Sequence, residues 1–236
     1  MTLKNGIGKI SKEVRAILDT RVNAQLRNNH GIKPTKLYSK NLNVERENNI
    51  ELDKLAKEGQ EFYAYEMSIK VPHDLRRRKE YLTKKFHRYC PVSQRIELCV
   101  GAQVMLVKNI DLACGLANGS RGVVTGFNGG DMPIVRFLNG EERPIYMEAW
   151  EMDERNRKVL LAHQIPLRVA YAISIHKSQG CSLDYAEIDL SNIFEYGQAY
   201  VALSRVKSLN GLSIVSINYD GIQADPLAVS YYEKLL

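Results

Sequence analysis

The 236-residue sequence contains no apolar run approaching the roughly 18 residues that a membrane span needs, so no membrane partner is expected. Its opening residues, Met1 to Ile10, carry lysines with no apolar stretch behind them, which excludes the pattern of a secretory signal. They also lack the arginines of a mitochondrial presequence. Cysteine is scarce: Cys90, Cys99, Cys114 and Cys181 form no C-x-x-C pair, and no two histidines stand at ligand spacing, so no metal site is expected. Unpaired thiols suit a reducing compartment and hence an intracellular protein. Repeats and low-complexity tracts are missing as well. The most informative absence is a phosphate-binding P-loop, G-x-x-x-x-G-K-[ST]. Its nearest candidate, Gly8-Lys9, fails twice: Ile10 stands where a Ser or Thr must hold magnesium, and Leu3 where the first glycine must wrap the phosphates.

What is present suits a folded chain. Hydrophobic residues make up 44% and charged residues 25%, enough for a real core. The formal net charge is +6, which suits a polyanionic partner without demanding one. Val14, Ile17, Leu18, Val22 and Leu26 recur at helical spacing and predict a helix over Ser11 to Arg27, with Ser11 as its cap. A short strand is expected over Lys33 to Tyr38, then a helix over Asn41 to Lys57 ended by Gly59. Asn48 interrupts that helix's apolar stripe of Val44, Leu52 and Leu55, so it should bond to something buried or to a ligand.

Phe62 to Ser68 reads as extended. A basic stretch follows: Arg76, Arg77, Arg78, Lys79, Lys84, Lys85 and Arg88, opposed by Glu80 and interleaved with Tyr81, Phe86 and Tyr89. A helix with one solvated basic face accounts for it; contact with backbone phosphates is the sharper reading. From Arg95 the period changes to two, and strands are expected at Arg95 to Val100, Gln103 to Lys108, Gly122 to Phe127, Pro133 to Leu138, Arg143 to Met147 and Val159 to Ile165. Asn-Gly and Gly-Gly turns between them suggest a small antiparallel barrel. The last section alternates again: a buried strand or a strand-to-helix approach at Leu167 to Ile175, strands at Ala186 to Leu190 and Leu212 to Ile217, helices at Gln198 to Val206 and Pro226 to Leu235. The whole reads as an α/β domain interrupted by a β insertion.

Two polar segments could carry chemistry. His176-Lys-Ser-Gln-Gly180 follows a buried run, and its glycine lets a backbone amide approach a ligand. On a helix from Gln198, the side chain of Arg205 could deliver a fixed guanidinium to a phosphate. Alone, the first pattern is weak, because polar loops after strands are common, and a surface arginine in an ion pair is the favoured reading of the second. Asp189 follows a strand as a magnesium ligand would, but without a P-loop its reading is structural.

Together these segments are specific. Pro34-Thr-Lys-Leu-Tyr-Ser-Lys-Asn41 with Val44 and Asn48, Cys90-Pro-Val-Ser-Gln94, Gly101-Ala-Gln-Val-Met-Leu-Val-Lys-Asn109 and Asn118-Gly-Ser-Arg-Gly-Val-Val124 come first. Ala172-Ile-Ser-Ile-His-Lys-Ser-Gln-Gly180 and Gly197-Gln-Ala-Tyr-Val-Ala-Leu-Ser-Arg205 follow. In order and spacing they resemble PIF (petite integration frequency)-type superfamily-1 DNA helicases over nearly the whole chain. The resemblance implies a second RecA-like motor domain in 1–60 and 166–236, with motifs IV, V and VI. It places an inserted region at 61–165, including a small Src-homology-type antiparallel β-barrel from about residue 95 to 165.

The resemblance also implies a function: the C-terminal motor half of an ATP-dependent 5′-to-3′ helicase acting in replication, repair, recombination or telomere maintenance. Arg205 would be the catalytic arginine finger, with Gln179, Gly180 and Gln198 beside it in the ATP cleft. His176, Lys177, Thr35, Tyr38, Asn41, Lys108, Asn109 and Asn118 would meet DNA. ATP and Mg2+ would serve the full-length enzyme, none being bound by this chain alone. The implied partners are single-stranded DNA or DNA forks and an N-terminal RecA-like domain, and the protein is expected to be a monomer in the nucleus or mitochondrion. The alternative is a stand-alone, non-catalytic nucleic-acid-binding or regulatory module.

Overall fold

The computed structural model describes residues 10–26 and 31–235; the Gly8-Lys9 pair and Arg27 lie outside them. The chain divides into two compact units: Met1–Ile50 with Tyr171–Leu236, and Glu51–Ala170.

The first unit begins with α1 (Lys12–Asp19), capped by Ser11, whose hydroxyl accepts from the Val14 amide at 3.3 Å. The helix stops well short of Arg27. Arg21 turns its guanidinium onto the Leu212 carbonyl at 2.9 and 2.8 Å, and Val22 forms a parallel bridge with Ile214. A β-branched valine suits that extended pairing better than another helical turn. β1 (Thr35–Tyr38) follows Pro34, and α2 (Asn41–Lys57) has the bounds its sequence predicts. Gly59 lies just past it with φ +83°.

The second unit takes in the last turns of α2. Leu52 and Leu55 pack against the core formed by Leu98, Val104, Leu106, Val135 and Phe137. The division between the compact units therefore falls inside the helix, at 50/51. β2 (Tyr63–Glu66) and β3 (Ser68–Lys70) precede a 3-10 turn, His73–Arg78, that feeds α3 (Lys79–Tyr89). Leu82 and Phe86, one turn apart, form the buried face of α3. β4 (Arg95–Leu98) alternates exposed and buried as its period requires, and β5 (Gln103–Leu106) is buried throughout.

β6 (Arg121–Phe127), β7 (Pro133–Phe137) and β8 (Glu142–Pro144) continue the antiparallel run from β5. β8 is shorter than expected and lies at a sheet edge, where Pro144 has no N–H to leave unpaired. β9 (Glu148–Glu154) and β10 (Arg157–Gln164) form a hairpin. Its two-residue turn, Arg155-Asn156, has positive φ at both positions, 50° and 61°. β11 (Leu167–Val169) returns to β5. The result is one five-stranded antiparallel sheet in the order β11-β5-β6-β7-β8, with β3-β10-β9 and β2-β4 as separate sheets. Gln164 serves as a buried hub here: its amide nitrogen donates to the carbonyls of Tyr65, Ser93 and Gln94.

The segment from Leu167 to Ile175 forms two short strands. Gln103 holds Ala170 by main chain and side chain, at 2.9 and 3.0 Å, at the break between β11 and β12 (Ala172–Ser174). The first unit then completes its sheet with β13 (Ala186–Leu190), α4 (Gln198–Leu203), β14 (Leu212–Ile217) and the closing helix α5 (Pro226–Glu233), capped by Asp225. The order is β12-β1-β13-β14, parallel throughout. Leu37, Ala172, Ile188 and Ile214 are fully or nearly fully buried in it. Such open parallel sheets present ligand-binding loops at the carboxyl ends of their strands.

Candidate functional site

The candidate residues of the first unit gather on those loops. The Ile175 amide donates to the Tyr38 carbonyl at 3.0 Å, joining the ends of β12 and β1. The 3-10 turn His176–Ser178 follows, held by buried Ser178, whose hydroxyl donates to the Ile175 carbonyl at 2.6 Å. With Ser178 turned inward, His176, Lys177 and Gln179 are exposed. His176 Nε2 lies 2.6 Å from Glu195 Oε2, a partner 19 residues downstream that no local pattern announces. Gly180 has φ +77° with no atom within 4 Å of where a Cβ would stand, so backbone conformation rather than crowding calls for glycine.

Arg205 comes back to this loop. It lies beyond the end of α4 rather than on it, because Val206 leaves the helix to bridge Leu183. Its guanidinium donates to Val201 O at 3.0 Å, Ser204 Oγ at 2.9 Å and Cys181 O at 3.4 Å. All three acceptors are neutral, and among the described residues no carboxylate forms an ion pair with it. The half-buried cation is thus positioned but not neutralised, the condition for receiving an anion. Gln198 stands at the other end of α4. It is buried, its Oε1 accepts the Phe194 amide at 3.2 Å, and its Nε2 has no partner among the described residues. A buried donor left unmade is costly, so this orphan fits a site that also binds an acceptor.

At the end of β1, Tyr38 is half-buried and Asn41 is exposed at the start of α2. Burial, then the Glu47 carboxylate, holds the Tyr38 phenol above its usual range. Thr35 is fully buried within β1, so the sequence expectation of a DNA contact there is corrected: its side chain belongs to the core. Asn48 meets its expectation of a buried partner. Its Nδ2 donates to Ala172 O at 3.0 Å and its Oδ1 accepts from Ala172 N at 2.9 Å. Asp189 accepts from the Ser191 amide and hydroxyl at 2.9 and 2.6 Å, the structural role read for it.

In the second unit, Asn109 Oδ1 accepts from the Asn118 amide at 2.8 Å, closing the loop between them. Lys108 is committed to Glu148 at 2.8 Å and Ala149 O at 2.9 Å, with its ammonium over the Trp150 ring at 5.3 Å. Among the described residues no three His, Cys, Asp or Glu side chains converge to hold a metal ion.

Comparison with known proteins finds similarity to DNA helicases. The family description of the 2B domain of DNA helicase Pif1 matches residues 82–127. The ATP-dependent DNA helicase PIF1 of Xenopus laevis is 42% identical over 207 residues, covering 87% of this chain and 31% of that protein. The crystal structure of the Pif1 helicase from Candida albicans is similar with a TM-score of 0.72 at 27% identity, covering 97% of this chain and 55% of that one. A Bacteroides Pif1 in complex with ADP-AlF3 and single-stranded DNA is similar with a TM-score of 0.60 at 26% identity, covering 95% of this chain and 50% of that one. The chain belongs to the Pif1-type helicase family, and it spans about a third of the length of the Xenopus relative.

Proposed function

We propose that this chain is the C-terminal motor portion of an ATP-dependent 5′-to-3′ DNA helicase. Its first unit would be the second RecA-like domain. The five-stranded sheet of its second unit would be the small Src-homology-type barrel inserted there. The observation that carries this reading is the Arg205 guanidinium, fixed against the Gly180-Cys181 loop with no carboxylate partner among the described residues, in a chain with Pif1 relatives. ATP would supply the phosphoryl group whose hydrolysis drives movement. In the full-length enzyme Mg2+ would be held with the nucleotide by an N-terminal RecA-like domain carrying the P-loop.

In this reading Arg205 stabilises charge on the γ-phosphate from the far wall of the cleft, and the Gln179-Gly180 loop and Gln198 line that wall. His176, Lys177, Tyr38 and Asn41, exposed or half-exposed at the ends of β12 and β1, contact one DNA strand. Asn109, Asn118 and Lys108 are a separate proposed contact of the second unit. Movement of the strand loops with nucleotide state couples hydrolysis to strand affinity. The partners are single-stranded DNA or forks, and the working compartment is the nucleus or mitochondrion, with the protein acting as a monomer.

The test is Arg205→Ala in a protein joining this segment to an ATP-binding RecA-like domain. DNA-stimulated ATP hydrolysis should fall by about 10³-fold or more while strand binding persists. Undiminished hydrolysis would sink the arginine assignment and favour a non-catalytic binding module.

A further inference from the structure

The charge of this chain is unevenly placed. The sequence holds 33 Lys and Arg against 27 Asp and Glu, and the segment from Arg76 to Arg88 alone holds seven of the former against Glu80. Outside it the counts balance at 26 each, so the entire net charge of +6 resides in thirteen residues. They form the end of the 3-10 turn and most of α3, within the second unit.

The structure separates the cations of this segment by role. Glu154, at the tip of the β9–β10 hairpin, takes Lys85 at 2.6 Å and Arg78 at 3.1 Å, anchoring α3 to the hairpin. Those two bonds hold the Glu154 carboxyl below its usual range, Lys85 contributing most. Lys84 pairs with Glu80 one turn away, but both are largely exposed, and such a pair yields readily to a better anion. Arg76, Arg77, Lys79 and Arg88 are exposed and have no carboxylate partner among the described residues. Arg155, in the adjoining turn, is likewise exposed.

Aromatic rings stand among these cations. With Leu82 and Phe86 turned into the core, Tyr81 (57% exposed) and Tyr89 (75% exposed) face outward. Eight residues of helix separate them, about 12 Å along the axis. The Arg78 guanidinium lies over one face of the Tyr81 ring at 5.6 Å, and both rings are otherwise exposed. Exposed guanidinium and ammonium groups interleaved with exposed rings are what a single nucleic-acid strand needs: charge for its phosphates, rings for its unstacked bases. A duplex would use the charge and leave the rings idle.

We propose that the exposed cations and rings of α3 and its leading turn form a binding surface for single-stranded DNA. Arg76, Arg77, Lys79 and Arg88 contact phosphates, and Tyr81 and Tyr89 stack on bases. The proposal does not depend on the ATP-cleft assignment, because none of these residues belongs to it.

The experiment is fluorescence anisotropy of the 236-residue chain with labelled oligo(dT) over a salt series. The variant with Arg76, Arg77, Lys79 and Arg88 all changed to Gln should weaken binding at low salt by more than tenfold. It should also reduce the slope of log affinity against log salt by about 3, at about 0.7 for each strand phosphate no longer neutralised. Tyr81→Ala with Tyr89→Ala should weaken binding by about tenfold with the slope unchanged. Lys12, Lys54, Lys57 and Lys234, exposed cations outside the segment, changed together to Gln reduce the net charge equally and should leave affinity and slope largely as they were. An unchanged slope in the first variant, or an equal drop in the Lys12 set, overturns the surface. An undiminished affinity in the tyrosine pair, or tighter binding of a blunt duplex than of oligo(dT), overturns the strand as its partner. All substituted side chains are exposed, and matching far-ultraviolet circular dichroism identifies variants that have lost the fold.

Discussion

The two units differ in how many of their charged side chains are paired with one another. In the parallel sheet unit, polar side chains bond mainly to main chain: Asn48 to Ala172, Arg21 to Leu212, Ser178 to Ile175, Arg205 to Val201 and Cys181. In the antiparallel unit, charged side chains bond mainly to each other: Arg95 with Glu66 and Glu97, Lys158 with Glu151, Arg157 with Asp74, Lys85 and Arg78 with Glu154. Bonds to main chain fix loop geometry and survive salt. Exposed ion pairs are individually weak and screened. Bonds to main chain set loop shape in both units, through Asn48 and Ser178 in one and Gln164 and Asn109 in the other; the antiparallel unit adds a wider set of exposed ion pairs.

The largest effects should come from the cores, where the units do not differ. Phe86→Ala in α3 and Leu37→Ala in β1 should each cost about 2–5 kcal/mol, read as a shift in the urea midpoint. A much smaller cost in one of them would show a unit held by something other than its core. Next comes Asn48→Ala, which strips both the N–H and C=O of Ala172 and should cost about 1–3 kcal/mol for each group left bare. Asn48→Asp keeps an acceptor for the amide but sets a carboxylate oxygen against the Ala172 carbonyl, so it should not restore the wild-type midpoint. Gly180→Ala follows, at about 1–2 kcal/mol for a left-handed residue bearing a Cβ, measured by thermal unfolding.

Smallest of all should be Glu154→Gln at neutral pH, in keeping with a surface pair. Because the folded-state pKa of Glu154 lies below its unfolded value, its contribution is present above the unfolded value and lost as pH falls through the folded one. The urea midpoints of wild type and Glu154→Gln should therefore converge on acidification. A Glu154→Gln cost exceeding that of Asn48→Ala would reverse the contrast between the units.

Much of this architecture is readable from local pattern. The bounds of α2, the alternation of β4 and the partner expected for Asn48 follow from periodicity and from the cost of an unsatisfied amide on an apolar stripe. What escapes that reading depends on distant residues. β9 is hidden because Glu148, Glu151, Asp153 and Glu154 give it an unstrandlike composition; cations supplied by α3, β10 and Lys108 make it tolerable. The end of α1 is decided by a strand almost two hundred residues later. In the candidate site, the motif positions are visible in sequence. That Arg205 leaves its helix, that His176 faces Glu195 and that Thr35 faces inward are consequences of tertiary pairing.

The Asn48 clamp has a consequence for solubility. β12 is the edge strand of its sheet, and Lys36 bonds to the Tyr171 carbonyl on the β1 side, which leaves the Ala172 N–H and C=O directed outward. An outward-facing peptide group of this kind is a template on which another chain can add a strand. The Asn48 carboxamide is itself a peptide-like group, and it fills that place from within the same molecule. One side chain thus stands in for a fifth strand, ending the sheet and guarding its margin against edge-to-edge aggregation.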